Sequence, residues 1–139
     1  MYTGSCLCGG VQFRIASELA PVEVCHCRQC RKAQGGPFAT NSPIQANAFE
    51  LVRGEDLLAH FESSPGKERV FCKKCASPIY SSRASLPGVL RIRVGLIDGD
   101  VAARPIAHAY VASKCTWWPI TDSLPQYAEA YAAPPASKT

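Results

Sequence analysis

Three cysteines fall within six residues of the stretch EVCHCRQCRKAQGG, at positions 25, 27 and 30. Two more groups share the pattern, Cys6-x-Cys8 and Cys72-x-x-Cys75, and Cys115 stands alone. Thiolates so spaced are ligands for zinc, each ~2.3 Å from the ion. Cysteines two apart on an extended strand point to the same side, with about 6–7 Å between their Cα atoms. That separation is awkward for a disulfide between them but lets two sulfurs converge on one ion. A finished structural zinc site has four ligands, whereas a catalytic one commonly keeps three and leaves a position for exchange. The set at 25, 27 and 30 is one ligand short.

The groups can be partitioned in two ways. Cys27 and Cys30 could join Cys72 and Cys75 as a four-thiolate ribbon, across a gap of 41 residues (31 to 71). Common ribbons span roughly 15–20, and this partition strands Cys6, Cys8 and Cys25. Alternatively, Cys6 and Cys8 join Cys72 and Cys75 in a closed site, leaving Cys25, Cys27 and Cys30 as a local set. Spacing alone prefers the second only modestly, because it uses every clustered cysteine.

Other residues could serve such a centre. Arg28, Arg31 and Lys32 flank the three cysteines and could bind substrate carboxylates, the arginines with bidentate geometry; a solvated charged face explains any one of them equally well. His26 lies between two cysteines and would point to the opposite face of an extended stretch, which speaks against it as a ligand. His60 and His108 read as structural, Trp117 and Trp118 as packing at a rim. Lys73 and Lys74, inside a cysteine knuckle, offset thiolate charge.

These residues must be positioned by a sheet-rich scaffold. Val11, Phe13 and Ile15 alternate with Gln12 and Arg14, a half-buried strand after the Gly9-Gly10 turn. Further short strands are predicted at 21–25, 38–40, 49–52, 57–61, 67–72, 78–82, 89–97 and 107–111, with Ser63-Ser64-Pro65-Gly66 as a strong turn. The single helical candidate is Arg28 to Ala33, ended by Gly35-Gly36. A domain over residues 1–131 and a loose tail over 132–139 follow.

Composition limits the function. The chain has 139 residues, 47% hydrophobic and 19% charged, which reads as one folded domain. A net charge of +4 is too small for a nucleic-acid footprint. No apolar run approaches the roughly 18 residues that span a bilayer. The first residues, MYTGSCLCGG, show no basic start followed by an apolar stretch. A cytoplasmic protein is expected, and in a reducing compartment clustered cysteines bind metal more often than they form disulfides.

The runs GSCLCGGVQF, CHCRQCRKAQGG and ERVFCKKCASPIY, in that order, resemble the glutathione-dependent formaldehyde-activating (GFA, CENP-V/GFA) family. So do Gly95-Leu96-Ile97-Asp98, Ala107 to Val111, Ser113-Lys114 with Trp117-Trp118, and Leu124-Pro125-Gln126-Tyr127, so that the resemblance covers about residues 3 to 127. It implies a mainly β, Mss4-like β-tent fold, small zinc-stapled sheets with little helix. It implies a structural zinc on Cys6, Cys8, Cys72 and Cys75, and a catalytic zinc on Cys25, Cys27 and Cys30 that receives the substrate thiol in its fourth position. It also implies a carbon–sulfur lyase that adds glutathione sulfur to formaldehyde, giving S-hydroxymethylglutathione. Two positions depart from the pattern: Ala76 stands where the family more usually has Gly, and Cys115 where it has a small residue. The alternative is a non-catalytic zinc-binding interaction module of the same fold. A pocket reaching the second metal set discriminates the two, since only the enzyme needs one.

Overall fold

The computed structural model describes residues 1–132, so the tail expected over 132–139 lies, after its first residue, outside the described residues. In chain order the elements are β1 (Tyr2–Ser5), β2 (Gln12–Ile15), β3 (Val22–Cys25), α1 (Arg28–Gln34), β4 (Ala39–Gln45), β5 (Phe49–Arg53), β6 (Leu58–Ser64), β7 (Lys67–Cys72), β8 (Pro78–Arg83), β9 (Val89–Arg93), β10 (Ile97–Asp98) and β11 (Pro105–Ala109). Four strands form one sheet, ordered β10-β1-β2-β5, and seven form another, ordered β11-β3-β4-β9-β8-β7-β6. The mainly β architecture with one short helix matches the expectation from sequence. No helix among the described residues is long and apolar enough to cross a membrane.

The alternation read in β2 is real: Val11, Phe13 and Ile15 are buried and Arg14 is exposed. They pack with Ile44, Ile79 and Ile92 of the larger sheet. Phe13 stacks on Phe49 at 5.2 Å, and Phe49 meets the edge of Tyr80 at 5.4 Å, so a chain of rings joins the sheets. Each such side chain contributes about 1.5–3 kcal/mol by leaving water.

β1 is not foreseen from sequence, β6 runs past the predicted 57–61 to Ser64, and three more strands differ from expectation. The run 89–97, predicted as one strand, breaks: β9 ends at Arg93, a 3-10 turn covers Val94–Leu96, and β10 pairs with β1 in the other sheet. Both halves are apolar enough to look continuous, and Gly95 offers no side chain to hold the strand straight. β4 runs on from the predicted 38–40 through Pro43 to Gln45. Its pairing with β3 covers only Ala39 to Asn41, so Pro43 lies beyond the part that β3 covers, an edge setting that tolerates a missing N–H. β11 stops at Ala109, because Tyr110 turns the chain with φ 57.

The link between β5 and β6 matters most for the cysteines. Gly54 sits at φ 93, where an added Cβ would run into the Gly10 carbonyl and lie 2.8 Å from Val11 Cα. Three residues on, the Leu57 carbonyl accepts from the Lys73 amide at 2.8 Å. This short link thus touches the chain beside both Cys8 and Cys72. Gly54→Ala combines a disfavoured backbone conformation with a backbone clash, and is expected to cost about 2–3 kcal/mol. Urea denaturation of the variant reads this directly; a midpoint unchanged from wild type would show that the link relaxes freely.

Candidate active site

Cys6 and Cys8 follow β1, while Cys72 ends β7 and Cys75 follows it. Their four sulfurs all lie within 4.8 Å of one another. Cys6 Sγ is 3.5 Å from Cys8 Sγ, which is 3.8 Å from Cys72 Sγ. A tetrahedral ion ~2.3 Å from each sulfur sets its ligands ~3.8 Å apart, so the four fit one cation. Backbone and hydroxyl groups fix the set: the Val11 amide donates to Cys6 Sγ at 3.2 Å, and Ser77 Oγ lies 3.4 Å from Cys75 Sγ. Against the cost of burial, the hydrogen bonds of Ser77 pull the Cys75 thiol down to about 5. The knuckle closes through an Ala76 amide to Cys72 carbonyl bond of 2.7 Å, with Ala76 at φ 65. That left-handed position is where glycine is at ease, which explains the usual residue there.

The second set grows from a strand end and a helix start. Cys25 is the last residue of β3, Cys27 caps α1, and Cys30 is buried in its first turn. Cys27 Sγ accepts from the Cys30 amide at 3.3 Å, and Gly35 at φ 66 ends the helix one residue later than predicted. The three sulfurs also lie within 4.8 Å of one another, and neither His26 nor Cys115 joins them. The all-sulfur donor set suits a soft or borderline ion. Hydrogen bonds from Cys25 and Cys27 hold Cys30 far below the ordinary thiol range, with Arg69 and Arg93 adding attraction. Hydrogen bonds to Cys27 and Cys30, with burial, push Cys25 up.

His26 does face away. Its Nε2 lies 2.8 Å from His108 Nδ1, and His108 Nε2 lies 3.0 Å from both carboxylate oxygens of Asp122. Burial pushes His26 down to about 4. His108 is therefore a buried, satisfied histidine, and His60 pairs with Glu68 near the surface.

Cys27 forms part of the wall of a cavity of about 630 Å³. The opposite walls come from the β6–β7 hairpin tip, the start of the β8–β9 loop, and the turn at Tyr110 and Ser113. Arg28, Lys67 and Arg83 line it, with no Asp or Glu among the described residues. Arg83 Nε is buried without a partner. Burial pushes Lys67 down to about 8, with Arg83 acting in the same direction. Of the three cations named from sequence, only Arg28 shares the cavity with Cys27. Arg31 and Lys32 line a separate recess of about 430 Å³ with Arg28 and Trp117. Arg31 also donates to the Ser113 carbonyl at 3.0 Å, bracing the turn. Trp118 meets Phe38 edge-on at 6.2 Å.

Sequence reasoning missed Lys67, Arg83, Arg69 and Arg93. In VLRIRV the arginines alternate with apolar residues, the pattern of a solvent face, and in KERVFC three charged residues precede three apolar ones, so neither run marks its cations as interior. Only the folded chain shows that Arg69 and Arg93 lie under α1, bonded to Gln29 and Gln34 of that helix.

Known proteins give a consistent picture. The family model described as glutathione-dependent formaldehyde-activating enzyme matches residues 1–113. A Halomonas elongata protein named "Putative glutathione-dependent formaldehyde-activating enzyme" is 33% identical over 123 residues, 82% of this chain and 77% of its own. An uncharacterised lyase of Schizosaccharomyces pombe is 32% identical over 79 residues, 57% of this chain and 56% of its own. A crystal structure of a Rhodobacter sphaeroides protein shares the fold, with TM-score 0.61 at 22% identity, covering 73% of this chain and 97% of that one.

Proposed function

Given that the chain belongs to the family of glutathione-dependent formaldehyde-activating enzymes, we propose that it is a zinc-dependent carbon–sulfur lyase joining glutathione to formaldehyde as S-hydroxymethylglutathione, working in the cytoplasm. The observation that carries this reading is the position of Cys27. Among the described residues it belongs to a three-thiol set with no fourth protein ligand, and it faces a cavity lined by three cations and no carboxylate. A non-catalytic binding module has no need of a cavity at an open metal set.

Cys25, Cys27 and Cys30 would hold one zinc, and Cys6, Cys8, Cys72 and Cys75 a structural one. Bound by three thiolates, the first zinc supplies a position at which a substrate thiol is held as thiolate. The protein's own contribution is binding and orientation. Glutathione carries two carboxylates, and Arg28, Lys67 and Arg83 offer charge-assisted donors to them. Anchored there, the tripeptide points its cysteine toward the wall that contains Cys27. The S–C bond forms as the thiol gives up a proton and the carbonyl oxygen gains one, so nothing is oxidised or reduced.

Exchange spectroscopy of glutathione and formaldehyde at equilibrium tests the reading, because the enzyme speeds interconversion without moving the equilibrium. A wild-type protein that leaves the exchange rate at background would remove it. Lys67→Met is expected to raise KM for glutathione roughly tenfold, since a hydrogen bond to a charged group contributes about 1.5–3 kcal/mol and solvent in the cavity screens it. Its pH dependence has a definite sign. Lys67 is charged below about 8 and loses its proton as pH rises through that value. Binding of S-methylglutathione, whose sulfur cannot ionise, should therefore weaken above pH 8 in wild type and less steeply in Lys67→Met.

A further inference from the structure

We infer that Arg69 and Arg93 are built-in counter-charges of the three-thiol site, positioning residues that set its affinity for metal and for a further thiolate. The inference rests on the three thiols holding a metal, and not on the identity of the substrate.

Both side chains are buried, 8% and 3% exposed. A buried guanidinium without an anion is strongly unfavourable. Yet among the described residues neither has a carboxylate within 4.0 Å, whereas Arg91, two residues from Arg93, meets Glu23 at 3.0 Å. Their oxygen acceptors are all neutral. Arg69 donates to Ser63 Oγ at 3.0 Å and Gln29 Oε1 at 3.3 Å. Arg93 donates to Gln34 Oε1 at 3.3 Å, Ser81 Oγ at 3.4 Å and the Arg91 carbonyl at 3.2 Å. What remains is sulfur: both terminal nitrogens of Arg69 lie 3.8 Å from Cys30 Sγ.

The charges balance. Three thiolates around a divalent ion sum to minus one, and a fourth thiolate makes minus two. Arg69 supplies one positive charge in contact with Cys30 Sγ, and the buried Arg93 supplies a second that reaches Cys30 and Cys25 only through space. The first positive charge offsets the resting site, and the second favours entry of an anionic sulfur over neutral water. A purely structural arginine could be replaced by any side chain that bonds Ser63 and Gln29. A counter-charge could be replaced only by another cation.

The test uses full-length protein whose four-thiol metal is retained while the three-thiol set, one ligand short, is emptied with a mild chelator. Cobalt(II) is then titrated against a competing chelator, with the sulfur-to-cobalt charge-transfer band as the readout and no thiol present. Arg69→Met is expected to weaken cobalt binding at this site at least tenfold and to leave the four-thiol metal in place. Arg69→Lys should restore most of that loss. In a second step 2-mercaptoethanol is added, and the concentration that shifts the visible bands should rise at least tenfold in Arg69→Met. Equal cobalt affinity in wild type and Arg69→Met overturns the inference. So does an Arg69→Lys variant as weak as Arg69→Met, which would mean that shape and not charge is at work. If Arg69→Met does not fold, Arg93→Met carries the same expectation, because it removes a charge without touching sulfur. The expected shifts in a protein that does not accelerate glutathione–formaldehyde exchange would uphold the counter-charge while removing the lyase reading.

Discussion

Cys72→Ser is expected to lose the four-thiol metal and, with it, most of the folded protein. Cys72 is fully buried, ends β7, and belongs to the same core cluster as Cys6, Val11 and Phe13. The site it completes ties the N-terminal hairpin to the middle of the chain. Structural zinc binds with roughly 10–16 kcal/mol of apparent free energy in small zinc domains. That is comparable to the whole stability of an ordinary domain, about 5–15 kcal/mol, so one missing ligand reaches the folding equilibrium itself. Metal analysis together with a thermal melt measures the outcome. Unchanged metal content and melting temperature in Cys72→Ser would exclude a structural role for this site.

The cysteine groups were readable because metal ligands cluster in sequence wherever a turn or strand end presents them. Spacing left two partitions open. The structure brings Cys6 and Cys8 to Cys72 and Cys75, and the reason is long-range: β7 and the β5–β6 link bring residues 72 to 75 against the β1–β2 hairpin. The helix α1 was equally legible, since Gly35 is a local stop signal, whereas its cap by Cys27 is seen only in the folded chain. The cation set around the cavity was not. Lys67 and Arg83 are cross-strand partners in β7 and β8, a register that no local pattern encodes. Arg93 sits in an alternating run and Arg69 in a charged one, Lys67-Glu68-Arg69, and only the packing of α1 over them makes them interior. Local chemistry is written locally, whereas the electrostatics of a site assembled from four segments depends on topology.

Cys27→Ser should behave in the opposite way to Cys72→Ser: turnover falls to background while the fold persists. Serine is among the best helix N-cap residues, so the oxygen can take over the bond that Cys27 Sγ accepts from the Cys30 amide. α1 keeps its start, Cys30 stays buried, and the melting temperature should remain within about 2 °C of wild type. The metal centre, in contrast, loses the one sulfur that faces the cavity. Zinc at the three-thiol set should then escape to a chelator faster, with the four-thiol ion retained. Wild type gives the complementary signal. Because three protein thiolates leave one position for exchange, glutathione should slow zinc loss from this set, and it should do so far less in Cys27→Ser. Two results would move the function away from thiol addition. One is turnover that survives the substitution. The other is zinc retention in wild type that ignores glutathione, which would mean that the fourth position is filled by something other than the substrate thiol.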